Sequence, residues 1–247
     1  MITRSFIHAT ACALILGALV HAQQPTLVRE LGIKYMRDSE EYATLARQVY
    51  RAAGEAVTHA ATQRRQGEWA VVLDVDETSL DNSTYQLERA AYGLPYDDAS
   101  WGAWVARREA PAVPGLIGFL DVVRRSGGHV AWITNRNASL ADPTRDNLKA
   151  VGVWTDDDRL CPQESAQSPK ATRRREVMTG TGDCSWRGTP MVIVAFIGDQ
   201  LADFPTAAEL IPDTGTDAAF GFTCFLVPNS MYGRWTTQVT RVRTGQP

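Results

Sequence analysis

The sequence predicts a three-layer α/β fold, in which a parallel sheet carries helices on both of its faces. Short, continuous apolar runs are typical of strands buried on both faces, and they occupy residues 69–73, 129–134, 191–197 and 222–227. Amphipathic segments with helical spacing alternate with these runs, as in βαβ units. The chain has 247 residues, of which 44% are hydrophobic, and this composition excludes a disordered or fibrous protein.

The first element expected in the mature chain is a long amphipathic helix over residues 38–65. Its apolar residues recur at helical spacing from Tyr42 to Ala56. Asp38 or Ser39 can cap its N-terminus, and the two glutamates that follow suit the first turn of a helix. We expect the whole N-terminal segment, residues 23–68, to pack as helix on the core or on a cap.

The remaining elements alternate between strand and helix as far as residue 227, with glycine and proline between them. In order they are strand 69–73, two short helices within 83–109 around Gly93-Leu94-Pro95, helix 114–125, strand 129–134, helix 140–151, short strand 159–161, a helix from Ser168-Pro169 to Met178, and strands 191–197 and 222–227. Ser168 is the expected cap of its helix, with Pro169 at the first helical position. Residues 79–113 are long for a connection, so we expect a small helical cap over the strand ends.

The first 22 residues have the segment order of a secretory signal peptide. Arg4 gives a positive start, residues 9–20 are apolar, and Val20-His21-Ala22 ends in the small residues of a cleavage site. We expect cleavage after Ala22 and export without a stable membrane anchor, to the periplasm in a Gram-negative bacterium and otherwise to the medium. The alternative is a lipoprotein lipidated at Cys12, but Cys12 stands at the start of the apolar run rather than at its end.

Charge, histidine and cysteine content exclude several classes of function. A net charge of −3 without a basic patch disfavours binding of a nucleic-acid polymer. Only His59 and His129 follow the leader, and there is neither the Arg-His-Gly run of a histidine phosphatase nor the Cys-x5-Arg loop of a cysteine phosphatase. No Cys/His cluster suggests zinc. An oxidising compartment permits one disulfide, and pairing of Cys161 with Cys184 stays open.

Carboxylates follow the ends of the predicted strands. Asp74 and Asp76 come directly after the first strand, and Asp199 and Asp203 follow the strand 191–197. The second strand ends at Thr134-Asn135. Because the carboxyl ends of parallel strands meet at one edge of a sheet, we expect these groups to converge there. Clustered carboxylates repel one another unless a cation lies among them, and oxygen ligands select a hard cation, most simply Mg²⁺.

Lys170 stands in the first turn of its predicted helix, where the helix dipole disfavours a cation. A lysine at that position is favourable if its ammonium faces a phosphate. The three arginines that follow, Arg173 to Arg175, are expected on a solvated face, and Asp156 to Asp158 in a loop or at a helix cap.

Five segments in this order resemble the haloacid dehalogenase superfamily of aspartate-nucleophile phosphohydrolases. The finer resemblance is to its four-aspartate members, the class C acid phosphatases and bacterial 5′-nucleotidase lipoproteins. The segments that carry it are Val72 to Ser83 with Asp74-Val75-Asp76-Glu77-Thr78, Ile133-Thr134-Asn135-Arg136, Ser168-Pro169-Lys170 with the arginines that follow, Ile197 to Phe204, and Val227 to Gly233. The chain departs from those lipoproteins in lacking the expected lipid-attachment cysteine.

The resemblance implies roles for particular residues. Asp74 would attack phosphorus and form an aspartyl-phosphate, and Asp76 would act as general acid and then general base. Mg²⁺ would be held by Asp74, the main-chain carbonyl of Asp76, Asp199 and, directly or through water, Asp203. Thr134, Asn135 and Lys170 would bind the phosphate oxygens.

These roles imply an exported Mg²⁺-dependent acid phosphatase acting on small phosphomonoesters, with nucleoside 5′-monophosphates as the expected substrates. Trp101 of the cap and Tyr232 after the last strand are in position to clamp a flat base between them. The phosphohydrolase core then covers residues 69–236, with its cap insertion at 79–113 and a tail at 237–247.

Two alternatives remain open at this point. A storage or ligand-binding protein could keep the fold without turnover, although it could then also lose Asp74, which is present. Dehalogenation or phosphonate cleavage could use the same fold, but dehalogenation does not need the acid at position 76.

Overall fold

The computed structural model describes residues 29–165, 168–209 and 217–237. The predicted signal peptide lies outside these residues, as does the tail beyond residue 237. Within them, five strands form one sheet, namely β1 (Trp69–Leu73), β2 (His129–Asn137), β3 (Arg159–Gln163), β4 (Val192–Gly198) and β5 (Cys224–Leu226). All neighbouring strands are parallel, in the order β3-β2-β1-β4-β5. The predicted parallel α/β sheet is confirmed.

Alternate residues of β1 enter two hydrophobic clusters on opposite faces of the sheet. Trp69, Val71 and Leu73 belong to the larger cluster, whereas Ala70 and Val72 belong to the smaller one. All five side chains are buried, as expected for the central strand of a sheet covered on both sides. The period of two in a strand therefore divides the core into two layers.

Helices cover both faces of the sheet. The larger cluster takes side chains from α2 (Glu40–Ala61), α3 (Ser83–Ala91), α4 (Asp98–Arg107), α5 (Leu116–Arg125) and α6 (Ala141–Ala150), whereas α7 (Lys170–Thr179) contributes Val177 to the smaller one. The described part of α1, residues 29–38, precedes α2. In the residues that the structure describes, no helix is long and apolar enough to cross a membrane.

The helix caps agree with the sequence in one case and differ in another. Ser39 caps α2, because its Oγ accepts a hydrogen bond from the Tyr42 backbone N–H at 3.0 Å. The prediction that Ser168 caps α7 is wrong, because Pro169 is the N-cap and no side chain caps this end. Lys170 is therefore the first residue of α7.

The segment 79–113 contains α3 and α4. A backbone bridge between Leu80 and Ala112 closes its base. Trp104 and Val105 of α4 are buried in the larger core cluster, so the segment is packed onto the main domain. Asp97 is the N-cap of α4, and its side chain accepts a hydrogen bond from the Ser100 backbone N–H at 2.8 Å.

One run that was predicted to be solvated contains buried charges instead. Arg173 and Arg174 are 3% and 2% exposed, and only Arg175 of this trio is exposed. The prediction was wrong because the partners of these two arginines lie far away in the chain. Asp156 to Asp158 lie in the loop before β3, as predicted, and Asp158 is 5% exposed because it accepts hydrogen bonds from Arg124 and from the Trp132 indole.

A disulfide joins Cys161 of β3 to Cys184, beyond the end of α7. The Cα atoms are 5.6 Å apart, and both residues belong to the smaller core cluster. Cys224 is buried and unpaired. The pairing that the sequence left open is thus present in the structure.

Candidate active site

A cavity of about 380 Å³ opens at the carboxyl edge of the sheet, where β1, β2 and β4 end. Asp74 and Asp76 follow β1, Asn135 lies in β2, and Asp199 follows β4. The parallel arrangement brings these strand ends together, as the sequence predicts. The lining also includes Tyr96, Gln86, Arg136, Gln200 and Ala202, together with the predicted site residues Trp101, Lys170, Asp203 and Tyr232.

Lys170 links two of the carboxylates. Its Nζ donates to Asp74 Oδ1 at 2.5 Å and to Asp203 Oδ1 at 2.7 Å. Burial disfavours the charged ammonium, but the two carboxylates outweigh burial and raise the pKa of Lys170. The first position of α7 therefore holds a permanent cation against the two acids.

One lysine does not offset all of the acidic charge. The pKa of Asp74 is raised to about 7, because burial and the charges of Asp203 and Asp76 together outweigh the lowering effect of Lys170. Burial, followed by repulsion from Asp74 and Asp203, raises the pKa of Asp199 well above its ordinary value. The cluster is thus short of positive charge.

The residues present fit a metal cation. Carboxylate oxygens of Asp74, Asp199 and Asp203 all lie within 4.8 Å of one another. Asp199 Oδ2 accepts a hydrogen bond from the Asn229 side chain at 2.7 Å, whereas Asp199 Oδ1 is buried and has no hydrogen-bond partner among the described residues. A buried, unpaired carboxylate oxygen is costly, and a cation among oxygen ligands would satisfy it.

Backbone contacts fix Asp203 within this cluster. Its Oδ2 accepts hydrogen bonds from the N–H groups of Asp199 and Gln200, at 3.1 and 2.9 Å. A Cβ on Gly198 would lie 2.4 Å from the Asp203 Cβ, so only glycine permits this close approach. Arg174 also donates to the Asp203 carbonyl at 2.9 Å.

Asp76 has a different environment. Its Oδ1 accepts hydrogen bonds from the Arg136 guanidinium at 2.7 and 3.0 Å and from the Asn82 amide at 3.0 Å. The Arg136 side chain is 1% exposed, whereas that of Asp76 is 21% exposed. Asp76 is therefore held by a buried cation while it remains open to the cavity.

Thr134 and Asn135 occupy different positions relative to the cavity. Asn135 lines it, and Asn135 Oδ1 accepts a hydrogen bond from Arg173 at 2.8 Å. Thr134 is 1% exposed and does not contribute to the described lining. Its Oγ1 accepts a hydrogen bond from the Arg136 backbone N–H at 3.1 Å. The phosphate-binding roles of both residues stay predictions.

Trp101 and Tyr232 line the same cavity, as the sequence suggested. The Arg136 guanidinium carbon lies 5.3 Å from the centroid of the Trp101 ring, so a cation covers part of that ring. Tyr96 packs beside Trp101, with the ring centroids 6.2 Å apart, and it lines the cavity too.

Sequence reasoning missed several residues that contact the predicted site residues. Arg136 was visible as the fourth residue of Ile133-Thr134-Asn135-Arg136, and Asn229 lies in Val227 to Gly233. Both stand in segments that carry the family resemblance, and this was the available signal. Asn82 lies in Val72 to Ser83, and Arg173, which contacts Asn135, follows Ser168-Pro169-Lys170, so both also stand in segments that carry the resemblance.

Solved structures place this fold in a class. The chain matches the class C acid phosphatase from Bacillus anthracis with a TM-score of 0.70, at 28% identity over 85% of this chain and 88% of that one. The structure of that enzyme with tungstate bound matches equally well. The parallel sheet and the aspartates at its carboxyl edge thus define a member of the haloacid dehalogenase superfamily.

Within that superfamily the chain belongs to subfamily IIIB, the acid phosphatases, whose family model matches residues 17–235. It is 28% identical over 167 residues to acid phosphatase 1 of Solanum lycopersicum and 24% identical over 162 residues to the stem 31 kDa glycoprotein of Glycine max. The matches cover 65% of this chain but only 57% and 58% of those two plant proteins. The family match and the structural neighbours confirm the resemblance seen in the sequence.

Proposed function

We propose that this protein is an exported, Mg²⁺-dependent acid phosphatase that hydrolyses small phosphomonoesters through a covalent intermediate on Asp74. The observation that carries the proposal is the buried carboxylate of Asp74, held by Lys170 at the cavity and grouped with Asp199 and Asp203. A carboxylate in this setting has both a fixed direction and access to a substrate.

The first chemical step transfers the phosphoryl group to Asp74. A carboxylate oxygen of Asp74 forms a bond to phosphorus while the bond from phosphorus to the leaving oxygen breaks. Asp76 gives its proton to that oxygen, so that the leaving group departs as a neutral alcohol. In the second step water attacks phosphorus, Asp76 takes the proton of the water, and phosphate leaves as Asp74 is regenerated.

Positive charge and hydrogen-bond donors surround the position of the transferred group. Lys170 has its ammonium 2.5 Å from Asp74 and offers a cation to the phosphate oxygens. Asn135 lines the cavity beside it, and Thr134 precedes Asn135 in β2. The tungstate bound to the class C acid phosphatase is, like phosphate, a tetrahedral oxyanion.

Asp74, Asp199, Asp203 and the main-chain carbonyl of Asp76 are the groups that would hold Mg²⁺. The buried and unpartnered Asp199 Oδ1 supports a cation at this position. When bound, the ion supplies charge that offsets the repulsion between an anionic nucleophile and an anionic substrate.

Nucleoside 5′-monophosphates are the substrates that we propose. Tyr232, Trp101 and Tyr96 give the cavity three aromatic side chains beside the acids. A flat base can stack on such side chains, and each stacked base contributes about 1–3 kcal/mol.

The proposed export of the mature protein is supported by the segment order of residues 1–22, which is that of a secretory signal peptide.

A phosphate-release assay tests the proposed activity. The purified protein is given nucleoside monophosphates, glycerol phosphate and 4-nitrophenyl phosphate, with Mg²⁺ and with a chelator. Asp74→Asn, which keeps the shape of the side chain, is the control for contaminating phosphatase. We expect release that requires both the cation and Asp74.

Release of phosphate by the Asp74→Asn variant at the wild-type rate would refute the role of Asp74. Binding of nucleotides without any turnover would favour the non-catalytic alternative. We retain that alternative because one relative is named as a stem glycoprotein rather than as an enzyme.

A further inference from the structure

Asp76 is contacted through one of its two carboxylate oxygens. We propose that Asn82 and Arg136 are positioning residues that select which oxygen of Asp76 transfers the proton, and that Trp104 of the cap orients the Asn82 amide. This inference rests on the proposed function, because it concerns how the general acid is held.

Three donors converge on Asp76 Oδ1. Arg136 donates from Nη2 at 2.7 Å and from Nε at 3.0 Å, and Asn82 donates from Nδ2 at 3.0 Å. Within the described part of the chain, no hydrogen bond reaches Oδ2. An oxygen that faces three N–H donors has no room for a proton of its own, so Oδ2 is the oxygen that carries it.

The direction of the Asn82 amide is set by its other neighbour. The indole Nε1 of Trp104 donates to Asn82 Oδ1 at 2.8 Å. An indole N–H can only donate, so it requires the carbonyl end of the amide on its side. The NH₂ end of Asn82 therefore faces Asp76 and acts as a donor.

Asn82 is itself fixed, because no part of it is exposed to solvent. Its backbone N–H donates to Glu77 Oε1 at 2.8 Å, and Glu77 is the residue that follows Asp76. Arg136 is anchored on its far side as well, with Nη1 donating to Thr144 Oγ1 at 3.1 Å. The network joins α4, β2 and the turn after β1 around one carboxylate.

The consequence concerns the leaving group. As the bond from phosphorus to the leaving oxygen breaks, the proton on Asp76 Oδ2 moves to that oxygen, and Oδ1 keeps its three donors. When water later attacks phosphorus, the same Oδ2 takes the proton from water. Loss of the network would leave the nucleophile intact but would misdirect the acid, which matters most for a strongly basic leaving oxygen.

Two substitutions separate this role from general support of the fold. Asn82→Ala removes the amide. Trp104→Phe keeps an aromatic ring at this buried position but removes the indole N–H that donates to Asn82. Trp132→Phe is the matched control, since the Trp132 indole also donates inside the core, to Asp158 at 3.1 Å, but does not reach Asp76. For each variant, kcat/KM is measured with glycerol phosphate and with 4-nitrophenyl phosphate, and folding is checked by thermal unfolding.

We expect Asn82→Ala to lower kcat/KM for glycerol phosphate about ten-fold to a hundred-fold, and to lower it less than about three-fold for 4-nitrophenyl phosphate, whose leaving oxygen needs little protonation. Trp104→Phe should shift the ratio of the two values in the same direction by a smaller factor. Trp132→Phe should leave that ratio at the wild-type value.

Equal losses on both substrates would overturn the inference while leaving the proposed phosphatase activity in place. If Asn82→Ala does not fold, Trp104→Phe decides alone, and a ratio equal to that of Trp132→Phe overturns the inference. Absence of turnover by the wild-type protein on both substrates would overturn the proposed function and this inference together.

Discussion

Replacement of Arg174 by methionine tests how much one buried ion pair stabilises the fold. Arg174 donates to Glu209 at 2.6 and 2.9 Å and to the Asp203 carbonyl at 2.9 Å. The side chains of Arg174 and Glu209 are 3% and 11% exposed. Removal of one partner from such a pair leaves an uncompensated charge and destabilises a protein by about 3–5 kcal/mol.

The size of the effect should depend on pH. In Arg174→Met the unpaired Glu209 carboxylate can be neutralised by binding a proton. With an ordinary pKa of 4.5, this protonation costs about 3.4 kcal/mol at pH 7 and about 0.7 kcal/mol at pH 5. The lost bond to Asp203 adds about 1–2 kcal/mol at either pH. We therefore expect a destabilisation of about 4.4–5.4 kcal/mol at pH 7 and about 1.7–2.7 kcal/mol at pH 5.

The sign of this dependence follows from Glu209. Burial alone would raise the pKa of Glu209, but the hydrogen bonds from Arg174 outweigh burial and lower it below 4.5. The stability that the pair contributes to the wild type is therefore complete above pH 4.5 and is lost as the pH falls through the lowered value. The difference between pH 7 and pH 5 comes from the variant, in which the unpaired Glu209 must bind a proton on folding and does so at less cost at pH 5. In acid the loss should fall to the roughly 1–2 kcal/mol of the bond to Asp203.

Urea unfolding at pH 7 and pH 5, with chelator present, measures the difference. Arg175→Met is the matched control, because Arg175 is exposed on the same helix and should change stability by less than about 0.5 kcal/mol. The double variant Arg174→Met with Glu209→Leu should recover most of the loss. An Arg174→Met variant as stable as Arg175→Met at pH 7, or a loss independent of pH, would refute the reasoning.

Four further outcomes are expected. Asp74→Asn should abolish phosphate release while it leaves the circular dichroism spectrum unchanged, and residual turnover near the wild-type rate would exclude Asp74 as nucleophile. Chelator should abolish release and added Mg²⁺ should restore it, so full activity of metal-free protein would contradict the metal site. Tyr232→Ala should lower kcat/KM for nucleoside monophosphates about ten-fold and barely change it for glycerol phosphate, whereas equal losses would assign Tyr232 a structural role. Alanine at both Cys161 and Cys184, which are 23 residues apart, should lower the free energy of unfolding by about 3 kcal/mol, compared in urea with Cys224→Ala, and no difference between them would mean that the bridge does not stabilise the fold.

The strand ends and their acids could be predicted from the sequence because the signals are local. Buried strands read as continuous apolar runs, and parallel strands bring their carboxyl ends to one edge. Asp74, Asp199, Asp203 and Lys170 are grouped in the structure as this reasoning requires.

The environment of the basic residues could not be predicted in this way. Arg174 looks like a surface arginine until Glu209, 35 residues away, is placed against it. Arg136 reaches Asp76 across 60 residues of sequence. Such pairs depend on how helices and turns pack together, and neither periodicity nor spacing along the chain contains that information.

The alternation of large and small side chains in β1 has a consequence for the geometry of catalysis. A strand that slips by one residue exchanges its two faces, so Trp69 and Leu73 would have to fit on the side that now accommodates Ala70 and Val72. The difference in volume makes the slipped pairing costly. Because Asp74 directly follows Leu73, the same steric selection that places Trp69 in the larger cluster also determines that Asp74, the proposed nucleophile, stands at the edge of the sheet.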